Sequence, residues 1–364
     1  MDKTSQKVNP RKVVNYAGAF IALLIGSGFA TGQELLQYFA SWGYAGILGV
    51  LLVFVLMAYV GMSFVSAGYN NRFETPNDIY KYYCGNILGT FYDYFSVFFL
   101  FLSFTVMVAG AGATVEQHYG LNPMIGSIVL VTLAIITVIF GLGRIVDVIG
   151  NIGPVIVVMA IVVGAIAIFK YMGMAGEAEA LMQEAVAAGD VKVASSSWWL
   201  AAGSYVGFCM LWLAAFLAQI GAGANSDGEG KLGAFFGAGG FSLATLIMTI
   251  GILFAVQIVR GSQIPSLLIA GDIHPVLATV FSIFIFAGIY TTAVPLLWSV
   301  IARFAKEKTP RFRMLTVVLG VIGGVIGILL RFDTLVNYVY VINGYVGMLL
   351  LVIMIGRSIQ WKRI

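Results

Sequence analysis

Runs of apolar residues, each long enough to cross a lipid bilayer, follow one another along almost the whole chain of 364 residues. A membrane-spanning helix needs about 20 predominantly apolar residues, because the backbone must satisfy its own hydrogen bonds inside lipid. Of all residues 60% are hydrophobic and only 10% are charged, and the mean hydropathy is +0.97. This composition excludes a soluble globular protein. The sequence therefore predicts an all-α polytopic membrane protein that forms one membrane domain.

Ten apolar runs have the length of a membrane span. They are Val13 to Phe39, Tyr44 to Val65, Phe91 to Thr114, Met124 to Leu142, Val148 to Phe169, Trp198 to Ile220, Leu232 to Val259, Pro275 to Phe304, Met314 to Leu330 and Leu335 to Ile355. Ten crossings place both ends of the chain on the same side of the membrane. We number these runs as spans 1 to 10.

The distribution of basic residues predicts which side that is. If both ends lie in the cytoplasm, all but four of the 20 lysines and arginines fall on cytoplasmic segments, and only Lys170, Lys192, Arg260 and Arg331 lie outside. Basic residues concentrate in cytoplasmic loops of membrane proteins. We therefore expect cytoplasmic termini, and the basic start of the chain, which leads into an apolar run without a small-residue cleavage site, is not expected to be a removed signal peptide. The net charge of +4 implies no nucleic-acid partner.

Two loops contain helix-favouring sequence. The longest outside segment, residues 170–197, includes a run from Ala175 to Ala188 that predicts a surface helix over the outer mouth. The inside segment from Asn70 to Asn86 predicts a short interfacial helix. Cys84 lies in a predicted loop and Cys209 within a predicted span, so neither a metal site nor a disulfide framework is suggested, and we expect free thiols.

Span 1 contains Gly26-Ser27-Gly28 close to the centre of the bilayer. Glycine and serine are poor helix formers, and an unwound stretch inside lipid is tolerated only where it is buried or lines a cavity. A half-helix resuming after the break would point its amide groups at a ligand, and a carboxylate suits that position. The alternative is close helix packing, since Gly28 and Gly32 are spaced as a small-xxx-small pair.

Glu34 lies six residues after Gly28, which is about 9 Å further along a helix and still within the membrane. A carboxylate at this depth is energetically unfavourable unless it is paired or hydrated, so it is a candidate functional residue. The alternative is a structural carboxylate hydrogen-bonded to a neighbouring helix.

Span 6 contains a second Gly and Ser cluster, formed by Gly203, Ser204, Tyr205 and Gly207. Span 1 begins the first set of five spans and span 6 begins the second. Because five is an odd number, span 6 crosses the membrane in the direction opposite to span 1, and the whole second set is inverted relative to the first. Broken helices at corresponding positions of two inverted halves indicate a binding site near the midplane. We expect repeat one at about residues 12–170, the outer loop helix at about 171–197 and repeat two at about 198–356.

Span 8 places Thr291 and Thr292 three and four residues after Gly288. Both hydroxyl groups can approach the Gly288 carbonyl, and oxygens gathered beside an unwound helix suit a small hard cation such as Na⁺. The alternative is that each threonine hydrogen-bonds back to its own helix. No catalytic motif and no nucleotide-binding loop is present, so we do not expect an enzyme.

The two Gly and Ser clusters and the Thr-Thr pair resemble the LeuT-fold transporters of the amino acid, polyamine and organocation superfamily, over nearly the whole chain. Within that group, the segment Gly26-Ser27-Gly28-Phe29-Ala30-Thr31-Gly32-Gln33-Glu34 looks most like the YkvI-type bacterial membrane proteins. The resemblance implies ten helices in two inverted five-helix repeats, with helices 1 and 6 broken, in a bacterial cytoplasmic membrane.

The resemblance also implies roles for individual residues. Backbone amides of Gly26, Ser27 and Gly28 would bind a substrate carboxylate, with Gly203, Ser204, Tyr205 and Gly207 forming a wall of the same pocket. A sodium ion would lie between Ala22 and Ile25 of span 1 and Gly288, Thr291 and Thr292 of span 8. Many amino acid transporters of this superfamily have an apolar residue or proline where this chain has Gln33 and Glu34.

These features together predict a secondary active transporter of a small amino-acid-like or zwitterionic solute, with Na⁺ as the coupling ion and no other cofactor. Glu34 could bind a substrate ammonium group, or it could couple transport to protons. A solute-sensing receptor subunit that binds without net flux is the alternative from another functional class. The expected partners are the solute and the lipid bilayer, and no obligate protein partner is evident.

Overall fold

The computed structural model describes residues 8–24, 27–140 and 145–361, with the side chains of residues 27, 145–153 and 361 left out of that description. Eight of the described helices are long and apolar enough to cross a membrane. The discontinuous first segment and a helix whose apolar part is Pro154–Lys170 complete the ten spans. The predicted all-α membrane fold is therefore confirmed.

Each predicted apolar run corresponds to helical structure. Span 1 consists of Pro10–Leu24, Ser27–Thr31 and Gln33–Tyr38, and spans 2 to 5 are Ala45–Asn71, Asp78–Tyr119, Pro123–Phe140 and Ile145–Lys170. Spans 6 to 9 are Trp198–Gly223, Asp227–Phe254, Pro275–Ala302 and Pro310–Leu329. Span 10 consists of Phe332–Leu335, the π-helix Val336–Tyr340 and Val341–Trp361. The boundaries agree with the apolar runs to within several residues, except in span 3.

Span 3 begins earlier than the apolar run predicts, because the expected interfacial helix joins it. Helical structure starts at Asp78, and a kink at Gly85, whose φ is +73°, separates this first part from the membrane-crossing part. Glycine tolerates this backbone conformation because it has no Cβ, which would clash with the backbone there. The helix Asp78–Tyr119 thus consists of a short first part, as expected for the interfacial helix, and a longer part that crosses the membrane.

Between the spans, two short helices cover one face of the protein. The predicted surface helix is observed at Ala178–Ala187, and a second helix, Pro265–Ile273, lies in the connection between spans 7 and 8. We call this side the loop-helix face. The opposite side, where span 1 begins and span 10 ends, is the terminal face.

Several of the strongest contacts between spans are reciprocal, although that of span 6 with span 10 has only a weak counterpart between spans 1 and 5. Span 2 packs on span 6, span 1 on span 7, span 3 on span 8 and span 4 on span 9. If each span is replaced by its counterpart in the other half, so that 1 exchanges with 6, 2 with 7 and so on, the pair 2–6 becomes the pair 7–1. The pairs 3–8 and 4–9 stay the same. This is the arrangement expected of two inverted repeats, while the residue boundaries of those repeats stay a prediction.

Candidate functional site

Span 1 is not one continuous helix. Gly32 separates its last two helical segments and has a left-handed backbone with a φ of +78°. A side chain at this position would be strained, and its Cβ would lie 3.2 Å from the Ser266 backbone nitrogen. The sequence predicts a break at Gly26-Ser27-Gly28, whereas this discontinuity lies further along span 1 and was not predicted. Ile25 and Gly26 lie outside the described residues, and Ser27 is described by its backbone alone.

Side-chain hydroxyl groups bond the backbone around this discontinuity. Thr31 Oγ1 donates to the Gly28 carbonyl oxygen at 2.6 Å and accepts from the Gln33 amide at 3.3 Å. Ser266 Oγ, from the short helix between spans 7 and 8, donates to the Ala30 carbonyl at 2.5 Å. These bonds satisfy backbone groups that an uninterrupted helix would pair internally.

Glu34 is buried beside Gly28. Its side chain is 3% exposed, and a Cβ built on Gly28 would lie 1.7 Å from Glu34 Oε1 and 2.8 Å from Glu34 Cδ. The carboxyl group therefore occupies the space that any larger residue at position 28 would need. The Tyr205 hydroxyl of span 6 interacts with the same carboxyl group. The carboxylate, the glycine and the tyrosine thus form one buried cluster.

The prediction that span 6 is broken is wrong. Trp198–Gly223 is a continuous helix, and Gly203, Ser204 and Gly207 are helical within it. The two glycines permit close packing with span 10: a Cβ on Gly207 would lie 1.9 Å from the Gly344 carbonyl oxygen. Small residues at this spacing are typical of membrane helix contacts. The cluster on span 6 is therefore a packing seam, although Tyr205 belongs to the buried site.

A cavity of about 540 Å³ lies next to Glu34. It is enclosed by residues of spans 1, 3, 5, 6, 8 and 10. Six of the residues predicted to form the site lie together in its wall: Ala22, Gly28, Glu34, Gly288, Thr291 and Thr292. The structure thus brings the expected residues of spans 1 and 8 to one space, while Gly203, Ser204 and Gly207 are not among its lining residues.

The two threonines of span 8 hydrogen-bond within their own helix. Thr291 Oγ1 and Thr292 Oγ1 each donate to the Gly288 carbonyl oxygen at 2.9 Å. Two donors occupy both lone pairs of that carbonyl, so Gly288 has no remaining acceptor for a cation. Each hydroxyl oxygen still has lone pairs that can coordinate a cation from the cavity side.

Aromatic residues that sequence reasoning did not single out form much of the cavity wall. Trp212 of span 6 and Tyr340 of span 10 both line it, with ring centroids 5.6 Å apart. The Tyr340 hydroxyl and Trp212 Nε1 have no hydrogen-bond partner among the described residues. Tyr340 ends the π-helix of span 10, and such distortions are frequent at functional sites. Because aromatic residues make up 13% of the chain, sequence alone did not distinguish these two.

The cavity extends from Glu34 toward the terminal face. Its other lining residues include Ala19 in the first segment of span 1, Phe216 in the second half of span 6, and Ser299 near the end of span 8. All three positions lie on the terminal side of the membrane centre. The site is therefore approached from the face where the chain begins and ends.

A hydrogen-bonded layer closes the loop-helix side. Gln37, which is fully buried, donates through Nε2 to the Asp333 carbonyl at 2.8 Å and accepts from Asn337 Nδ2 at 3.0 Å. Its own carbonyl accepts from the Ala194 amide at 3.0 Å. The Lys192 ammonium group forms an ion pair with the Asp333 carboxylate at 2.9 Å. We call these residues the closing layer, and it joins span 1, span 10 and the loop before span 6.

Sequence comparison identifies two partial relatives, and no protein-family model matches the chain. The uncharacterized membrane protein YkvI of Bacillus subtilis (strain 168) is 25% identical over 149 residues, which is 41% of this chain and 43% of that protein. The uncharacterized protein YyaD of the same strain is 30% identical over 95 residues, or 26% of this chain and 27% of that protein. The chain thus matches less than half the length of either curated relative.

Solved structures match the fold over nearly the whole chain. MhsT in complex with L-phenylalanine superposes with a TM-score of 0.61 at 17% identity, covering 97% of this chain and 90% of MhsT. A manganese transporter of Eremococcus coleocola gives 0.60 at 12% identity, covering 98% and 80%. Mhp1, a nucleobase-cation-symport-1 family transporter, gives 0.52 at 14% identity, covering 93% and 78%.

The likeness of fold agrees with the discontinuous span 1 and with the reciprocal packing of spans 1 to 4 against spans 6 to 9. At these identities the solved structures establish the fold alone. The described residues contain no group of three His, Cys, Asp or Glu side chains placed to hold a metal ion. The chain therefore has the ten-helix fold of the LeuT-fold transporters and is similar in sequence to the YkvI-type membrane proteins.

Proposed function

We propose that the protein is a secondary active transporter that carries a small amine-bearing solute by alternating access. This class includes the amino-acid-like and zwitterionic solutes that the sequence predicts. The observation that carries the proposal is the cavity beside Glu34, which extends toward one face while the closing layer seals the other. A site accessible from one side at a time is what alternating access requires.

Na⁺ is the proposed coupling ion. The Thr291 and Thr292 hydroxyl oxygens line the cavity together with Ala22 of span 1, and hydroxyl and backbone oxygens suit a hard monovalent cation. One positive charge moving inward down a potential of about 100 mV contributes about 2.3 kcal/mol, or roughly a fiftyfold concentration ratio. The proposed location is a bacterial cytoplasmic membrane with both termini inside, as the distribution of lysine and arginine indicates.

Reconstitution into liposomes tests transport directly. Purified protein would be exposed to L-phenylalanine and 2-phenylethylamine as probes, with an inward Na⁺ gradient or with choline in its place, while charge movement and solute accumulation are recorded. We expect accumulation of at least one probe above its external concentration, and only with Na⁺. Saturable binding of a probe without net flux would refute transport and support the receptor alternative.

Variants of span 8 test the ion assignment. Replacing Thr291 by Ala and Thr292 by Val removes both hydroxyl groups, and we expect the Na⁺ concentration for half-maximal transport to rise about tenfold or more. Thr316→Val in span 9 is the matched control, because Thr316 is buried and also bonds within its helix, at 2.8 Å to the Phe312 carbonyl, but does not line the cavity. Unchanged Na⁺ activation in the double variant would exclude this ion site.

Proton coupling through Glu34 is the second candidate, because no described ion pair neutralises this buried carboxylate. A buried carboxylate without a cationic partner must be neutralised by a bound cation or by a proton. If Glu34→Gln removes the dependence of transport on a pH gradient and retains the dependence on Na⁺, the proton assignment is supported. If the transport rate of the wild-type protein does not change with a pH gradient, proton coupling through Glu34 is excluded.

A further inference from the structure

Glu34 is the only charged side chain among the described residues that line the cavity. Its carboxyl group is almost fully buried, and no lysine or arginine in the described part of the chain forms an ion pair with it. Transfer of an unpaired carboxylate out of water is strongly unfavourable. The electrostatics of the cavity therefore favour a ligand that brings a positive charge to Glu34.

Aromatic rings surround this single carboxylate. Phe29, Phe216, Trp212 and Tyr340 line the cavity, and Trp212 also stacks on Phe99, with ring centroids 5.5 Å apart and an interplanar angle of 8°. The face of an aromatic ring attracts a cation, most strongly for tryptophan, and the attraction is largest where water is excluded. The walls thus reinforce the charge preference that Glu34 establishes and offer an apolar surface to the body of a ligand.

Two polar groups in these walls have no partner. The Tyr340 hydroxyl is fully buried, and Trp212 Nε1 is buried within a partly exposed side chain; neither makes a hydrogen bond to a described residue. Buried polar atoms without a partner are uncommon, since each leaves a desolvation penalty uncompensated. Both belong to residues that line the cavity, although neither polar atom is itself exposed to it.

The position of the Glu34 carboxyl argues against a second carboxylate in the same place. Glu34 Oε1 lies in the space beside the Gly28 Cα, where a ligand carboxylate was expected from the sequence. Two carboxylates close together in a buried site repel each other, and no basic side chain among the described lining residues offsets the repulsion. A zwitterion that places its ammonium group at Glu34 would find no basic side chain for its own carboxylate among the described lining residues.

We infer that the cavity binds an organic cation: an amine with an aromatic or aliphatic body and no ionised carboxylate, its ammonium group at Glu34 and its body against the apolar cavity wall that includes Phe216 and Trp212. This inference rests on the proposed function in that it takes the cavity to be the transport site. It narrows the amine-bearing class to members without a carboxylate.

A matched series of three probes tests the charge preference. 2-Phenylethylamine, L-phenylalanine and 3-phenylpropanoate share one aromatic body and carry respectively a cation, both charges and an anion. Binding to the purified protein would be measured by intrinsic tryptophan fluorescence and by thermal stability. We expect the amine to bind at least about tenfold more tightly than L-phenylalanine and the carboxylate to show no saturable binding. Equal or tighter binding of L-phenylalanine would overturn the inference.

Variants identify the residues responsible. Glu34→Gln should lower the affinity for 2-phenylethylamine at least about tenfold, and Glu34→Asp, which retains the charge, should keep the preference for the amine. Glu177→Gln, an exposed glutamate in the loop before span 6, is the matched control and should bind as the wild type does. Tyr340→Phe retains the ring and should weaken amine binding less than Tyr340→Leu does. An unchanged affinity for the amine in Glu34→Gln would exclude Glu34 as the cation-binding group.

Failure of this inference can be told apart from failure of the proposed function. If L-phenylalanine is accumulated with Na⁺ and the amine neither binds nor is transported, the transporter proposal stands and the substrate class is wrong. If the amine binds with the expected dependence on Glu34 but no probe accumulates in liposomes, the cavity is a cation-binding site of a protein that does not transport these probes.

Discussion

Gly28→Ala tests the relation between the carboxylate and span 1 with the smallest possible change. The added methyl carbon would lie 1.7 Å from Glu34 Oε1, and an ordinary contact begins at 3.4 Å. The Glu34 carboxyl must therefore move by about 1.7 Å, which a side chain can do without moving the backbone. Alanine is more favourable than glycine in a helix by up to about 1 kcal/mol, so the variant should fold.

The displaced carboxyl leaves both the Gly28 position and the Tyr205 hydroxyl. A displacement of about 1 Å in a positioned charged group is enough to lower its effect on the order of a hundredfold in enzymes, and we expect a loss of ten- to a hundredfold in affinity for 2-phenylethylamine. Titration of the intrinsic tryptophan fluorescence with the amine measures this loss, and the melting temperature checks that the fold is intact.

Gly18→Ala is the matched control. Gly18 also lies in span 1, but a Cβ on it meets no atom within 4 Å. This variant should bind the amine as the wild type does. If Gly28→Ala folds and binds the amine with unchanged affinity, the Glu34 carboxyl does not contact the ligand from beside Gly28, and the site as described here is wrong.

Three further variants test the architecture around the site. Gly207→Ala should destabilise the protein by about 1–3 kcal/mol, because its methyl group would meet the Gly344 backbone oxygen rather than a movable side chain; an unchanged melting temperature would contradict the packing seam. Lys192→Met removes the ion pair to Asp333 and should speed hydrogen exchange of the loop amides before span 6, and equal exchange rates would show that the closing layer does not depend on this pair. Glu229→Gln should speed exchange at the start of span 1, because the fully buried carboxylate accepts the Asn9 amide at 3.1 Å; retained protection would assign that protection to other contacts.

The number of spans and the position of Glu34 within a span were predictable from sequence for a physical reason. Inside a bilayer each helix must satisfy its own backbone and present apolar side chains to lipid, so a span is encoded by one local run of residues. A carboxylate within such a run stands out without knowledge of its neighbours. Both features depend on the chain's relation to the lipid rather than on contacts between distant segments.

Whether span 6 is broken or continuous was not predictable from sequence, because glycines such as Gly203 and Gly207 are compatible with either structure. Glycine beside serine can interrupt a membrane helix, or it can let another helix approach closely. Gly344 of span 10 lies against Gly207 and resolves this choice. The roles of Trp212 and Tyr340 depend in the same way on helix rotation, which no local pattern of an almost wholly apolar helix specifies.

The geometry of the third segment of span 1 links ligand binding to closure. Glu34, in the buried carboxylate cluster, and Gln37, in the closing layer, belong to one six-residue helix, Gln33–Tyr38. Gly32, with its left-handed backbone, joins this helix to the preceding segment. Opening the loop-helix face requires breaking the three hydrogen bonds that Gln37 makes to Asp333, to Asn337 and to the loop before span 6. A movement of the short helix large enough to break them also moves the Glu34 carboxyl, so the ligand at Glu34 and the access of the site to the loop-helix face cannot change independently.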